Sequence, residues 1–68
     1  MWYAIYRWSG ETGWKRQNVF EDNSPDLARS MALLEHGSSG SVALVESDRR
    51  ESAESFPQFG RDWRRLPI

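Results

Sequence analysis

Chemistry in this chain would have to begin at His36, its only histidine. A general base needs a nucleophile or a second acid or base within hydrogen-bond reach, and a metal site needs further His, Cys or carboxylate ligands at suitable spacing. Cysteine is absent, and the immediate neighbours of His36 are Glu35 and Gly37. No serine lies in a G-x-S-x-G elbow, so a Ser-His-Asp triad would have to recruit His36 from a helix end. His36 is read instead as a cation complementing a helix dipole. The polar run Glu21, Asp22, Asn23, Ser24 and Asp26 lacks the alternating ligands, central glycine and terminal Glu of a calcium loop, and helix capping accounts for it. Neither SGETG (9–13) nor GSSG (37–40) forms a phosphate-binding glycine motif. The expectation is a non-enzymatic protein that needs no metal or cofactor.

What the composition does supply is rings and guanidinium groups: four Trp, two Tyr and three Phe in 68 residues. Each ring buries on the order of 150–250 Å², so a few of them dominate a small core. One core of this size does not easily hold all four tryptophans. Those left outside, together with arginine, are the residue types that dominate protein interfaces. On this basis Tyr3, Arg7, Trp8, Trp14, Trp63 and Arg64 are the candidate partner-binding residues. The chain is expected to be a small protein-interaction module, an inhibitor, anti-defence factor, adaptor or complex subunit that binds a larger protein. The alternative is a small nucleic-acid-binding domain in which Arg7, Lys15 and Arg16 of a hairpin and Arg61, Arg64 and Arg65 of the C-terminal segment flank aromatic rings, a pairing that stacks bases and neutralises phosphates.

Charge distribution weighs between the two. Residues 1–20 carry Arg7, Lys15 and Arg16 against Glu11, a net +2. Residues 21–48 carry Glu21, Asp22, Asp26, Glu35, Glu46 and Asp48 against Arg29, a net −5, and residues 49–68 return to +2. An acidic middle and a net charge of −1 argue against a broad phosphate contact surface, which places nucleic acid second.

The elements that must position these residues follow from periodicity and caps. Ser24 to Gly37 carries a complete set of helix signals: Ser24 as N-cap, Pro25 at the first position, Asp26 in the first turn and Gly37 as the stop. Its expected core face is Leu27, Met31 and Leu34 with Ala28 and Ala32, leaving Leu33 on the polar side. Trp2 to Trp8 reads as a central strand with Trp2, Ala4, Tyr6 and Trp8 on one face and Tyr3, Ile5 and Arg7 on the other. SGETG suits a hairpin loop into a second strand, Trp14 to Glu21, with Trp14, Arg16, Asn18 and Phe20 on one face. Strict alternation also puts Lys15, Gln17, Val19 and Glu21 on the other.

GSSG reads as a connector and Ser41 to Val45 as a short buried strand that meets water at Glu46, Ser47 and Asp48. Asp48 to Ser55 reads as a solvated loop with room for one helical turn. Asp62 to Leu66 reads as a short docked strand, with Phe56 and Phe59 plugging the core edge. The whole is a single α+β domain over residues 1–68: a small two-layer sandwich with a three- to four-stranded, mainly antiparallel sheet covered on one face by a single helix. An uncovered aromatic sheet face would also allow homodimerisation across a two-fold axis. The N-terminal MWYAIYRW lacks a basic n-region, and no stretch is apolar for the roughly 20 residues that span a bilayer, so a soluble cytoplasmic protein is expected.

Overall fold

The computed structural model describes residues 1–37, 41–58 and 62–68. The elements run β1 (Trp2–Ser9), β2 (Gly13–Glu21), α1 (Pro25–His36), β3 (Val42–Ser47), α2 (Arg50–Glu54) and β4 (Trp63–Leu66). The strands form one antiparallel sheet in the order β2-β1-β3-β4. The α+β fold with one main helix is as the sequence indicates, and β1 is central. Because β2 and β3 both run against β1, the β2–α1–β3 connection is a crossover that carries α1 over the sheet. Ser24 caps α1 by accepting the Leu27 N–H, and Gly37 (φ 77°) closes it with its own N–H on the Leu33 carbonyl.

The sheet has a core on each side. Tyr3, Ile5, Val42, Leu44 and Leu66 meet Ala28 and Ala32 of α1, with Phe20 and Ile68 at the margin. Ala4, Tyr6, Ala43 and Val45 meet Ala53 of α2 and Phe56, with Trp2, Trp14, Val19 and Trp63 around them. The second core corrects the reading of Asp48 to Ser55 as a solvated loop. Its middle is α2, with Ala53 fully buried and Tyr6 Oη donating to the Ala53 carbonyl at 2.6 Å. One small apolar residue leaves no periodic trace, yet it is what lets a backbone turn lie against the Tyr6 ring. Glu54 fixes the turn laterally by pairing with Arg16 at 2.9 Å and Arg50 at 2.8 Å. The aromatic sheet face proposed for self-association is therefore already occupied by α2 and Phe56.

Three further corrections concern which side a residue faces. In β2 the register jumps from Ile5↔Asn18 to Tyr6↔Arg16, which leaves Gln17 as the extra residue of a β-bulge. Strict alternation put Trp14, Arg16, Asn18 and Phe20 on one face; the bulge sends Trp14 and Arg16 to the α2 side and keeps Phe20 on the α1 side. In α1 the buried line is Ala28 and Ala32, whereas Leu27 and Leu34 of the expected core stripe are 58% and 86% exposed. The alanines let the helix backbone approach the sheet, and the leucines are turned outward. Glu46 and Ser47, expected to meet water, are buried. Glu46 accepts from Tyr3 Oη at 2.9 Å and pairs with Arg64 at 2.6 Å, and Ser47 Oγ donates to the Asp62 carbonyl at 2.5 Å. Phe56 plugs the α2-side core as expected; Phe59 and most of the GSSG connector lie outside the described residues.

Candidate functional site

The hairpin end of the sheet is where aromatic residues reach the surface. Trp8 and Trp14 are register partners just before the β1–β2 loop, and their rings meet edge to face at 5.4 Å. Gly13 has φ +74°, and the Trp8 ring lies over it, 3.6 Å from where a Cβ would stand. The left-handed backbone selects glycine there, while the ring lies at ordinary contact distance from the site of a Cβ. Behind them Trp14 packs on Phe56 at 5.3 Å, and Phe56 in turn packs on Tyr6 and Trp63, both at 4.9 Å. The Arg65 guanidinium, reaching across from β4, lies 5.3 Å from the centroid of the Trp14 ring. Trp8 is thereby held from below and from one side while remaining 50% exposed. On the opposite face of the same hairpin end, Arg7 stands across from Lys15, both exposed.

The six candidate partner-binding residues do not form one patch. Trp8 and Trp14 come together at this corner, whereas Arg7, next to Trp8 in β1, points to the opposite face of the sheet. Trp63 is half-buried against Phe56, its Nε1 without a hydrogen-bond partner. Arg64 is spent on Glu46 at the other edge of the sheet. Tyr3 is a correction: it is fully buried between the sheet and α1, so its ring faces no partner. Arg65 belongs to the corner, although sequence reasoning assigned it only to nucleic-acid binding. No local pattern shows that β4 brings it back over Trp14.

The nucleic-acid set is dispersed. Arg7 and Lys15 face the α1 side, whereas Arg16 and Arg65 face the α2 side. Arg16 and Arg64 are already neutralised by Glu54 and Glu46. Arg61 lies outside the described residues. His36 is mostly buried in the last turn of α1, its Nε2 unpartnered by any hydrogen bond and 3.6 Å from Glu35 Oε2. Among the described residues no group of three or more His, Cys, Asp or Glu side chains could hold a metal ion. Among the same residues no helix is long and apolar enough to cross a membrane.

Both tyrosines of the chain are buried, and this gives the protein an alkaline limit. Desolvation pushes the Tyr3 hydroxyl up to about 12, reinforced by its hydrogen bond to Glu46 and by that carboxylate's charge. Desolvation also raises Tyr6. A hydroxyl whose folded pKa lies above its unfolded value of about 10 favours the fold fully below pH 10, and that contribution is lost as pH rises toward 12. The expected result is a melting temperature that falls from pH 10 to 12, with tyrosinate absorbance rising together with loss of the circular dichroism signal. Tyr3→Phe should flatten the decline; tyrosinate appearing near pH 10 in the folded protein would contradict the burial.

No protein-family model, no curated protein and no solved structure matches this chain.

Proposed function

We propose that this chain is a small cytoplasmic protein-interaction module that binds a larger protein without catalysing a reaction, as an inhibitor, anti-defence factor, adaptor or complex subunit. The observation that carries this reading is Trp8. It is a half-exposed indole fixed by Gly13 and Trp14 rather than free on a loop, beside a guanidinium stacked on the neighbouring ring. Large rigid aromatic groups with arginine nearby supply contact area at low entropic cost, which is why such residues become interface anchors. A phosphate-binding reading is weaker, because its basic residues are split between two faces and two of them hold carboxylates.

The test is affinity purification from cells of the source organism with the tagged full chain, with and without nuclease, comparing wild type with Trp8→Ala. The expected outcome is a stoichiometric protein that survives nuclease and is lost with Trp8→Ala. Because Trp8 is half in water, its removal should lower stability by only about 1–2 kcal/mol, which a thermal melt checks. Recovery of nuclease-sensitive material alone, or a partner retained by folded Trp8→Ala, would overturn the assignment.

A further inference from the structure

We propose that the hairpin corner takes an acidic segment of the partner protein, with a carboxylate of that segment on the Arg65 guanidinium and an apolar side chain beside it on Trp8. The inference rests on the reading of this corner as an interface and adds the chemistry of what it binds. Its basis is which cations the fold has already used. Among the described residues Arg16, Arg29, Arg49, Arg50 and Arg64 each pair with a carboxylate. Arg65 pairs with none and is exposed. Its backbone stands opposite Val45 in mid-sheet, but its side chain extends toward the hairpin end. There its Nη2–H meets the Val42 carbonyl at 3.5 Å, long for a hydrogen bond, and its guanidinium lies 5.3 Å from the Trp14 centroid. A guanidinium over a ring is steadied by it while its N–H edge stays available, and that fork matches a carboxylate two bonds at a time. Trp8 meets the same Trp14 ring at 5.4 Å, so the half-exposed indole and the unpaired fork adjoin one another across it.

Charge around the corner points the same way. Arg16 and Arg50 share the single carboxylate of Glu54. Arg7 and Lys15, exposed on the opposite face of the hairpin end, pair with no carboxylate among the described residues. Glu11 in the loop and Glu51 on α2 are exposed, and neither pairs with any of these cations. The hairpin end therefore keeps a surplus of positive charge, which steers an acidic segment toward it. A phosphate backbone fits less well. The other arginines of this face, Arg16 and Arg50, are engaged with Glu54, so no run of free cations continues from Arg65 among the described residues.

The test titrates the isotope-labelled full chain with a synthetic peptide of about ten residues in which Asp and Leu take turns at every second position, separated by Ser, so that both point to one side of an extended chain. The comparison probes are the same peptide with Asn for every Asp, and an oligothymidylate of similar length. The Asp peptide should shift the indole N–H resonances of Trp8 and Trp14 and bind at least about tenfold more tightly than the Asn peptide. Arg65→Gln should erase that preference, and Arg65→Lys, which keeps the charge without the fork, should restore only part of it. Trp8→Ala should weaken both peptides. Equal affinity for the Asp and Asn peptides, absence of shifts at about 1 mM Asp peptide, or tighter binding of the oligothymidylate would overturn the proposal. Affinity purification with Arg65→Gln separates it from the reading it rests on. A partner lost with Trp8→Ala but retained by Arg65→Gln would leave the corner an interface and overturn only its acidic ligand. Recovery of no protein by the wild type would overturn the interface reading itself.

Discussion

Phe56→Ala is expected to leave the domain largely unfolded. Phe56 is 9% exposed and touches Tyr6, Trp14 and Trp63, so it joins three otherwise separate rings into one cluster. Deleting a buried phenylalanine costs about 3–5 kcal/mol, the lost transfer energy plus the cavity. A 68-residue domain without disulfides has a total stability of about that size. The site has little capacity to collapse, because its neighbours are rigid rings and α2 is a single short turn held by Glu54 and the Tyr6 hydrogen bond. Urea titration followed by circular dichroism measures the effect. Phe56→Leu should keep a folded baseline with a reduced midpoint, and Phe56→Ala should show little folded baseline at all. A loss below 1 kcal/mol for alanine would mean that the α2 side is a decorated surface and that the α1 side alone stabilises the fold.

Deleting Gln17 is expected to be as damaging, although its side chain is exposed and contributes little. In the native register Gln17 is the unopposed residue between the Ile5↔Asn18 and Tyr6↔Arg16 pairs. Without it the hairpin has to choose. If Asn18 to Glu21 keep their places, Trp14 and Arg16 turn onto the α1 side; if Trp14 and Arg16 stay, Val19 and Phe20 exchange faces. Either way a large aromatic ring leaves its core, and the Arg16–Glu54 pair or the Tyr3–Phe20 stack at 5.7 Å is lost. The expected cost is about 3 kcal/mol or more, against about 0.5 kcal/mol or less for Gln17→Ala, an ordinary surface substitution. Comparing the two by thermal melts separates the role of the residue's presence from that of its side chain. Similar melting temperatures for the deletion and the wild type would show that the bulge is dispensable.

The same residues show how far the fold is legible in the sequence. Caps and stops are local, so Ser24, Pro25 and Gly37 mark α1 closely, and the two apolar faces of β1 mark it as central. The bulge is invisible to alternation, because an extra residue has no chemical signature of its own in WKRQNVF. The orientation of α1 is equally hidden. A helical wheel favours the larger side chains for burial, whereas the distance available over the sheet favours Ala28 and Ala32. The burial of α2, rather than its helical turn, escapes because its anchoring is by one alanine and a tyrosine hydroxyl more than forty residues away. At the candidate site, sequence reading names Trp8 and Trp14 among the partner-binding candidates but Arg65 only for nucleic acid, because its stacking on Trp14 depends on where β4 docks. Tyr3 is misplaced for the converse reason: its residue type suggests an interface, while the buried Glu46 satisfies its hydroxyl inside the core.

The order of the strands in space has a consequence for how the chain folds in time. β1 is made first and becomes an inner strand, and its two partners are of unequal reach. β2 arrives after a short loop, so the hairpin can close early and locally. β3 arrives only after the α1 crossover, and β4, made last of the four, supplies Leu66 to one core and Trp63 to the other. Neither core is complete on a nascent chain until β4 has emerged. Until α1 and α2 have followed it, the β1–β2 hairpin holds Tyr3, Ile5, Tyr6 and Trp14 with no cover on either side. Such delayed, non-local closure lowers folding rate and lengthens the exposure of apolar strand surface. This domain therefore cannot complete either core before β4 is available, and a partner or chaperone that meets it earlier meets exposed apolar strand surface.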